Sequence, residues 1–361
     1  MIKISLCMIV KNEEANLERC LEGIANYMDE IIIVDTGSSD QTKEIVSRYT
    51  NKIYDFTWIN DFSAARNYSI SKASNEYILV LDSDEFTQNI DISEMKRLIG
   101  QNPKRIGRLL RLNEYTRNGM LYRYKERVNR LFSKKYYHYE GIIHEQVTCI
   151  VSENAVSNAG GVSGIDETYP IPLTVLHSGY EGSLETRRRK TQRNINLLKQ
   201  AHEQNPDDPY ILYQLGKSYY MEEDYASACD YFGQALYFDL NPRLEYVQDL
   251  VESYGYSLLN SEQYETALQL LNIYDEFAYS ADFIFLIALI LMNNGKFNEA
   301  IKEFLNASEQ REAKMEGVNG YLAYYNIGII YECLGDKKNA IKYYTMCGDY
   351  GVARKRLDTL T

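Results

Sequence analysis

The six cysteines, Cys7, Cys20, Cys149, Cys229, Cys333 and Cys347, are scattered, with no CxxC pair and no histidine at close partner spacing. They read as buried, reduced thiols, which fits a cytoplasmic protein. Positive charge is also scarce. Lys and Arg number 39 against 51 Asp and Glu, for a net charge of −12 and a pI near 5.0. That balance argues against general binding to nucleic acid or to an anionic membrane, although the local patch Arg187-Arg188-Arg189-Lys190 can still hold phosphates. No long apolar run occurs. The longest, Phe283 to Met292, covers ten residues where a membrane span needs ~20. The N-terminal stretch Met1 to Val10 is too short for a signal-peptide core and runs into Lys11-Asn12-Glu13-Glu14 without a small-residue cleavage site, so it reads as a first strand. A soluble protein is expected.

What is present is a chain of 361 residues, 45% hydrophobic and 25% charged, long enough for two domains with separate cores. Its 33 tyrosines can line a carbohydrate or peptide groove, or fill half-buried helix packing. The first 90 residues alternate in a βαβ manner. Strands are expected at Ile4 to Val10, Ile31 to Val34, near Ile53-Tyr54, and at the run ending in Asp82. Helices are expected over Glu14 to Tyr27, up to about Tyr49, and over Ala64 to Ser71. Such alternation implies a parallel, doubly wound sheet. From about Ile106 to Val175 short alternating segments suggest an antiparallel extension on the acceptor side.

The strand Tyr77 to Leu81 runs straight into Asp82-Ser83-Asp84. Ligands of open α/β sheets bind beyond the carboxyl ends of the strands. If the strand continues through these residues, Asp82 and Asp84 point the same way, and two close carboxylates call for a shared cation such as Mg²⁺ or Mn²⁺. The same tripeptide also makes an ordinary turn before a helix starting near Asp91. Two other apolar strands end in Lys11-Asn12-Glu13 and in Asp35, and adjacent strand ends would form one crevice. There Asp35 can accept from a base or ribose, the backbone around Ile9 to Lys11 can complement a uracil edge, and Arg66 can pair with a diphosphate. Taken singly, Asp35 reads more readily as an N-cap and Arg66 as a surface helix arginine; together the set points to a site.

From Asn205 onward the texture changes. Tyr225, Tyr264, Phe297 and Lys337 are each followed three residues later by Ala, at spacings of 39, 33 and 40 residues, and the small residues Gly216, Gly255, Ala288 and Gly328 precede them by nine. This resembles tetratricopeptide repeats, helix pairs of ~34 residues stacked through small residues. The expected organisation is therefore an α/β nucleotide-binding domain over 1–180, a connecting helix over 181–204, and an all-α repeat solenoid over 205–361.

The blocks Ser5 to Glu14, Ile32 to Asp40 and Leu81 to Asp84 resemble family 2 glycosyltransferases with the GT-A fold, a Rossmann-like nucleotide-sugar domain. The block Trp58 to Asn67, together with the repeats, narrows the resemblance to repeat-fused members such as bacteriocin peptide S-glycosyltransferases of the sublancin type. The resemblance implies an inverting, metal-dependent transfer of a hexose from a nucleoside-diphosphate sugar, a UDP-sugar, to Cys or Ser/Thr of a peptide or protein. It implies that Val10, Asn12, Glu13 and Asp35 hold the nucleoside, that Arg66, Asp82 and Ser83 lie along the donor, and that Asp84, Asp82 and His177 hold Mg²⁺ or Mn²⁺. Inversion requires a base opposite the leaving group. Glu145 is the candidate, with His144 as its positioner or substitute and Glu140 as a third choice. The repeats would dock the acceptor or make a homodimer. No nucleic-acid partner and no integral membrane segment are expected.

Other readings compete. A transferase acting on a polysaccharide or lipid-linked glycan would share the donor site. A haloacid dehalogenase-type phosphatase also uses a strand followed by DxD, but it needs Thr or Val where Phe86 stands. A repeat scaffold with an inert N-terminal domain would have no use for Asp35, Arg66, Asp82 and Asp84.

Overall fold

The computed structural model describes residues 2–117, 120–150, 168–177 and 184–361. The chain divides into two compact units, Met1–Arg189 and Lys190–Thr361.

The N-terminal unit opens with β1 (Ile4–Val10), α1 (Leu17–Ile24), β2 (Glu30–Asp35), α2 (Thr42–Ser47), β3 (Ile53–Asp55), α3 (Phe62–Lys72) and β4 (Tyr77–Val80). It continues with β5 (Glu85–Ile90), α4 (Ile92–Gln101), β6 (Ile106–Arg117), β7 (Met120–Ser133), the hairpin β8 (Tyr137–Glu140) and β9 (Gln146–Cys149), and β10 (Thr168–His177). One eight-stranded sheet has the order β3-β2-β1-β4-β7-β6-β10-β5. Its first four strands are parallel, and β7 then pairs antiparallel with β4. The expected antiparallel extension holds for β7 with β6 and for β10 with β5, but β10 pairs parallel with β6, and β8 and β9 form a separate two-stranded sheet. Residues 151–167, which the sequence reading assigned to that extension, lie outside the described residues, as do Ser178 to Tyr180.

Both faces of the central strands are covered, which is why they read as unbroken apolar runs. In β1, Leu6, Met8 and Val10 join a core with Leu17, Cys20, Leu21 and Ile24 of α1, while Cys7 faces a second core with Ile32, Ile78 and Phe132. The strand before the aspartates is shorter than expected. It stops at Val80, and Asp82 to Asp84 form a turn closed by Glu85 N–H donating to the Asp82 carbonyl at 3.1 Å. Strand alternation therefore does not apply to the pair. The segment after the turn is β5 and not a helix; Asp91 does cap a helix, accepting from Glu94 N–H at 2.9 Å, but that helix begins after β5.

In the C-terminal unit the helices pair as α6 (Pro209–Met221) with α7 (Tyr225–Ala235), and α11 (Ala281–Asn293) with α12 (Phe297–Glu309). A further pair is α13 (Tyr321–Cys333) with α14 (Lys337–Met346), followed by α15 (Gly351–Leu360). The helix α5 (Leu184–Gln204) straddles the boundary between the units. The repeat beginning at α8 (Glu245–Asn260) is irregular in its second half, where short α9 (Tyr264–Ala267), a 3-10 turn Leu268–Ile273 and α10 (Tyr274–Phe277) replace one helix. The repeating aromatic or Lys residues each begin a second helix, and the small residues lie within the first. A Cβ on Gly328 would stand 2.5 Å from the Tyr344 ring, so glycine there is what lets α13 and α14 approach. The run Phe283 to Met292 is buried in α11, which explains its all-round hydrophobicity. Among the described residues no helix is long and apolar enough to cross a membrane. Four cysteines are buried, but Cys149 and Cys333 are exposed, because they end an outer hairpin strand and a helix.

Candidate active site

The parallel register places Val10 beside Asp35 at the carboxyl ends of β1 and β2, with β4 on the other side of β1. Asp35 is 1% exposed. Its Oδ1 accepts from the backbone N–H groups of Gly37 and Ser38, both at 2.9 Å, across a turn in which Gly37 has φ +107°. Its Oδ2 is buried and has no hydrogen-bond partner. A buried carboxylate oxygen in that condition is a strong acceptor awaiting a donor.

The neighbouring residues work on the loop. Asn12, in the left-handed region at φ 54°, accepts from Ser39 N–H at 2.8 Å, and its own N–H donates to Ser38 Oγ. Glu13 N–H donates to Thr42 Oγ1 at 2.8 Å. The Val10 carbonyl accepts from both Thr36 N–H and Thr36 Oγ1, which uses its two lone pairs and leaves it no edge for a base. Of the four expected nucleoside residues, Asp35 is the one with a buried side-chain oxygen that lacks a hydrogen-bond partner.

Around Asp82 the structure assembles an ion-pair network. Arg66, on α3, is 7% exposed rather than a surface residue. Its Nη2 donates to Asp82 Oδ1 at 2.8 Å and its Nε to Glu145 Oε1, while Nη1 is buried without a partner. Arg130, on β7, donates to Asp82 Oδ2 at 2.6 Å and to Glu85 Oε1 at 2.8 Å. Arg111, on β6, bridges Glu85 at 3.2 Å and Glu126 at 2.9 Å. Burial alone would raise the Asp82 carboxyl, but the charges of Arg130 and Arg66 outweigh it and hold the group far below the usual carboxylate range. Both guanidiniums stay charged despite burial, because Asp82 stabilises each. Cys20 braces the turn from below, its thiol donating toward the Asp82 and Glu85 carbonyls at 3.6 and 3.3 Å. Burial, then the charges of Glu85 and Asp82, push that thiol well above its ordinary range, so it remains a donor.

Glu145 reaches the site from the turn between β8 and β9, where Gly141 (φ 97°) and His144 (φ 50°) make the left-handed bends. Two contacts fasten this turn to α3. Phe62 N–H donates to the Ile142 carbonyl at 2.9 Å, and the Asn67 amide bonds both the N–H and the carbonyl of Tyr139. The Tyr139 hydroxyl is buried without a partner, and burial pushes its pKa up to about 12. Glu140 is exposed and its carboxylate lies 2.9 Å from His138.

The three residues expected to hold a metal are not brought together. Both oxygens of Asp82 face arginines, because the turn separates it from Asp84; Ser83 lies buried between them. Asp84 Oδ2 instead stands 3.6 Å from His177 Nε2. Among the described residues no group of three His, Cys, Asp or Glu side chains could hold a metal ion. The Asp84 and His177 pair offers one carboxylate oxygen and one ring nitrogen, donor types that Mg²⁺ or Mn²⁺ accepts.

Sequence reasoning missed Arg130, Glu85, Arg111, Asn113 and Glu126. The available signal was an alternation: Arg111 and Asn113 share one face of β6, and Arg111 lies directly across from Glu126 on β7.

Residues 5–151 match the glycosyl transferase family 2 model, and residues 210–237, 281–313 and 321–347 match tetratricopeptide repeat models. The irregular repeat beginning at α8 falls between the matched ranges. A TPR repeat-containing protein of Synechococcus elongatus is 30% identical over 239 residues, covering 65% of this chain and 57% of its own. The SPbeta prophage-derived glycosyltransferase SunS of Bacillus subtilis is 28% identical over 264 residues, covering 69% of this chain and 57% of its own. An uncharacterized glycosyltransferase of Rickettsia typhi is 34% identical over 85 residues, or 24% of this chain and 29% of its own. The chain spans just over half the length of the first two relatives. Its N-terminal unit carries a glycosyl transferase family 2 domain, and its C-terminal unit carries tetratricopeptide repeats.

Proposed function

We propose that this protein transfers a hexose, with inversion, from a nucleoside-diphosphate sugar to a cysteine or Ser/Thr side chain of a peptide or protein. The observation that carries the proposal is a pair of unpartnered buried polar atoms: Asp35 Oδ2, at the end of β2, and Nη1 of Arg66, which reaches from α3 to Asp82 just beyond the end of β4. One is an acceptor suited to the imide N–H of uracil. The other is a cationic donor suited to a diphosphate oxygen. The match to family 2 and the likeness to glycosyltransferase SunS support the same reading.

In this reaction the acceptor sulfur or oxygen attacks the anomeric carbon on the face opposite the diphosphate. The C1–O bond breaks and its electron pair leaves on the diphosphate oxygen. Glu145 takes the proton from the acceptor atom, and its contact with Arg66 holds it in position. A thiol asks less of this base, because it ionises near pH 8.5 unaided. Arg66 neutralises the departing charge. Mg²⁺ or Mn²⁺, held by Asp84 and His177, would supply Lewis-acid stabilisation of the leaving diphosphate. His144, through its left-handed backbone, aims the Glu145 turn. The repeats present the acceptor, as peptide-docking solenoids do.

The test is binding and hydrolysis of UDP-, GDP- and dTDP-sugars with Mg²⁺ or Mn²⁺, on the wild type and on Asp84→Asn. UDP-sugar turnover lost in the variant is the expected result. Unchanged nucleotide affinity and turnover in Asp84→Asn would overturn the site assignment.

A further inference from the structure

His177 ends β10 directly across from Asn113 of β6 and Glu85 of β5. Asn113 is 1% exposed. Its Nδ2 donates to Glu126 Oε1 at 2.8 Å, and its Oδ1 lies 2.8 Å from His177 Nδ1. Glu126 is held in turn by Arg111 at 2.9 Å. A carboxylate paired with arginine accepts and does not donate, so the Asn113 amide must turn its NH₂ group toward Glu126. Its oxygen is thereby committed to the histidine, and an oxygen at that place can only accept. The proton of a neutral His177 then belongs on Nδ1, and the lone pair belongs on Nε2, the nitrogen 3.6 Å from Asp84.

We propose that Asn113 is a positioning residue that fixes the tautomer and ring orientation of His177, so that the Nε2 lone pair faces a divalent cation beside Asp84. This rests on the metal-assisted reading above. The chain Arg111, Glu126, Asn113, His177 crosses β7, β6 and β10, three neighbouring strands of the sheet, so the rigid ladder sets the geometry instead of a loop. Outer-shell partners of ligating histidines act in this way, and removing one typically weakens metal binding about 10- to 100-fold.

The chain has only four histidines, so the ring nitrogens of His177 can be assigned by ¹⁵N NMR, using His177→Gln to identify its signals. In metal-free wild type at pH 8 the expected result is the Nδ1–H tautomer; the Nε2–H tautomer would overturn the proposal without any further variant. Asn113→Leu should release the ring to the Nε2–H form and weaken Mn²⁺ binding in the presence of UDP, read by electron paramagnetic resonance, about 10- to 100-fold. Asn113→Asp combined with Glu126→Gln keeps an acceptor for the ring while the new amide donates to the new carboxylate, and should retain the tautomer and most of the Mn²⁺ affinity, a rescue that a purely space-filling role would not give. Equal loss in Asn113→Leu and in the Asn113→Asp, Glu126→Gln double variant, with the tautomer unchanged in both, would refute the positioning role. Absence of Mn²⁺ binding to a wild type that does show the Nδ1–H tautomer would instead overturn the metal reading.

Discussion

Replacing Arg66 by lysine keeps the charge and removes the fork, and the structure says how much that should cost. Arg66 makes two charge-assisted contacts from separate nitrogens, to Asp82 and to Glu145, and is almost wholly buried. A single ammonium can satisfy one of these carboxylates but not both in that geometry. The variant therefore loses one hydrogen bond to a charged group, about 2 kcal/mol, and leaves one acid short of compensation. In a unit of 189 residues that corresponds to a fall in Tm of roughly 4–8 °C. Trp58 is the only tryptophan and lies in the N-terminal unit, so its fluorescence excited at 295 nm follows unfolding of that unit alone. The same variant should bind UDP about tenfold or more weakly by calorimetry, because Nη1 no longer exists to meet a phosphate oxygen. A melting curve and a UDP affinity both equal to wild type would show that the buried fork carries neither burden.

Three other outcomes are expected. Gly328→Ala sets a methyl group 2.5 Å from the fully buried Tyr344 ring and should lower the helical transition, followed by circular dichroism at 222 nm, by about 1–3 kcal/mol; an unchanged transition would show that the two helices part freely. Glu145→Gln should lower turnover about 10²- to 10⁴-fold with an oxygen acceptor, and less with a thiol, in initial-rate assays; equal loss with both would remove Glu145 as the base. Glu252, buried on α8, has its pKa raised to about 7, first by burial and also by Asp282 and Asp249. The folded repeats keep that proton while the unfolded chain loses it near 4.5, so this group lowers stability as pH rises from about 4.5 to about 7, by about 3 kcal/mol in all, and contributes no slope above. Glu252→Gln should be the more stable protein at pH 8 but not at pH 4; a variant that is less stable than wild type at pH 8 would contradict this.

Legibility followed the range over which each feature is encoded. The strands β1, β2 and β4 announce themselves by local runs of apolar residues, because both faces of each are buried, and Asp35 marks a strand end without reference to anything distant. The repeat helices are equally local: Gly216, Gly255 and Gly328 recur because each close helix approach lies within one helix pair or its neighbour. The role of Asp82 was less visible. Whether an Asp-x-Asp pair shares a cation depends on where the strand stops and on which cations arrive from elsewhere, and here Arg130 arrives from β7, 48 residues away in the chain.

The amino-acid sequence by itself determined two units of different class, where the first apolar strands end, and the residue types offered there, since these follow from periodicity and short-range chemistry. Only the tertiary structure decided their pairing. It turned Asp82 toward Arg66 and Arg130, set Asp84 against His177, brought Glu145 onto Arg66, and put Asn113 behind the histidine ring. The physical reason is that a buried charge must find a counter-charge from whatever strands the sheet order makes its neighbours, and that order is a property of the assembled sheet.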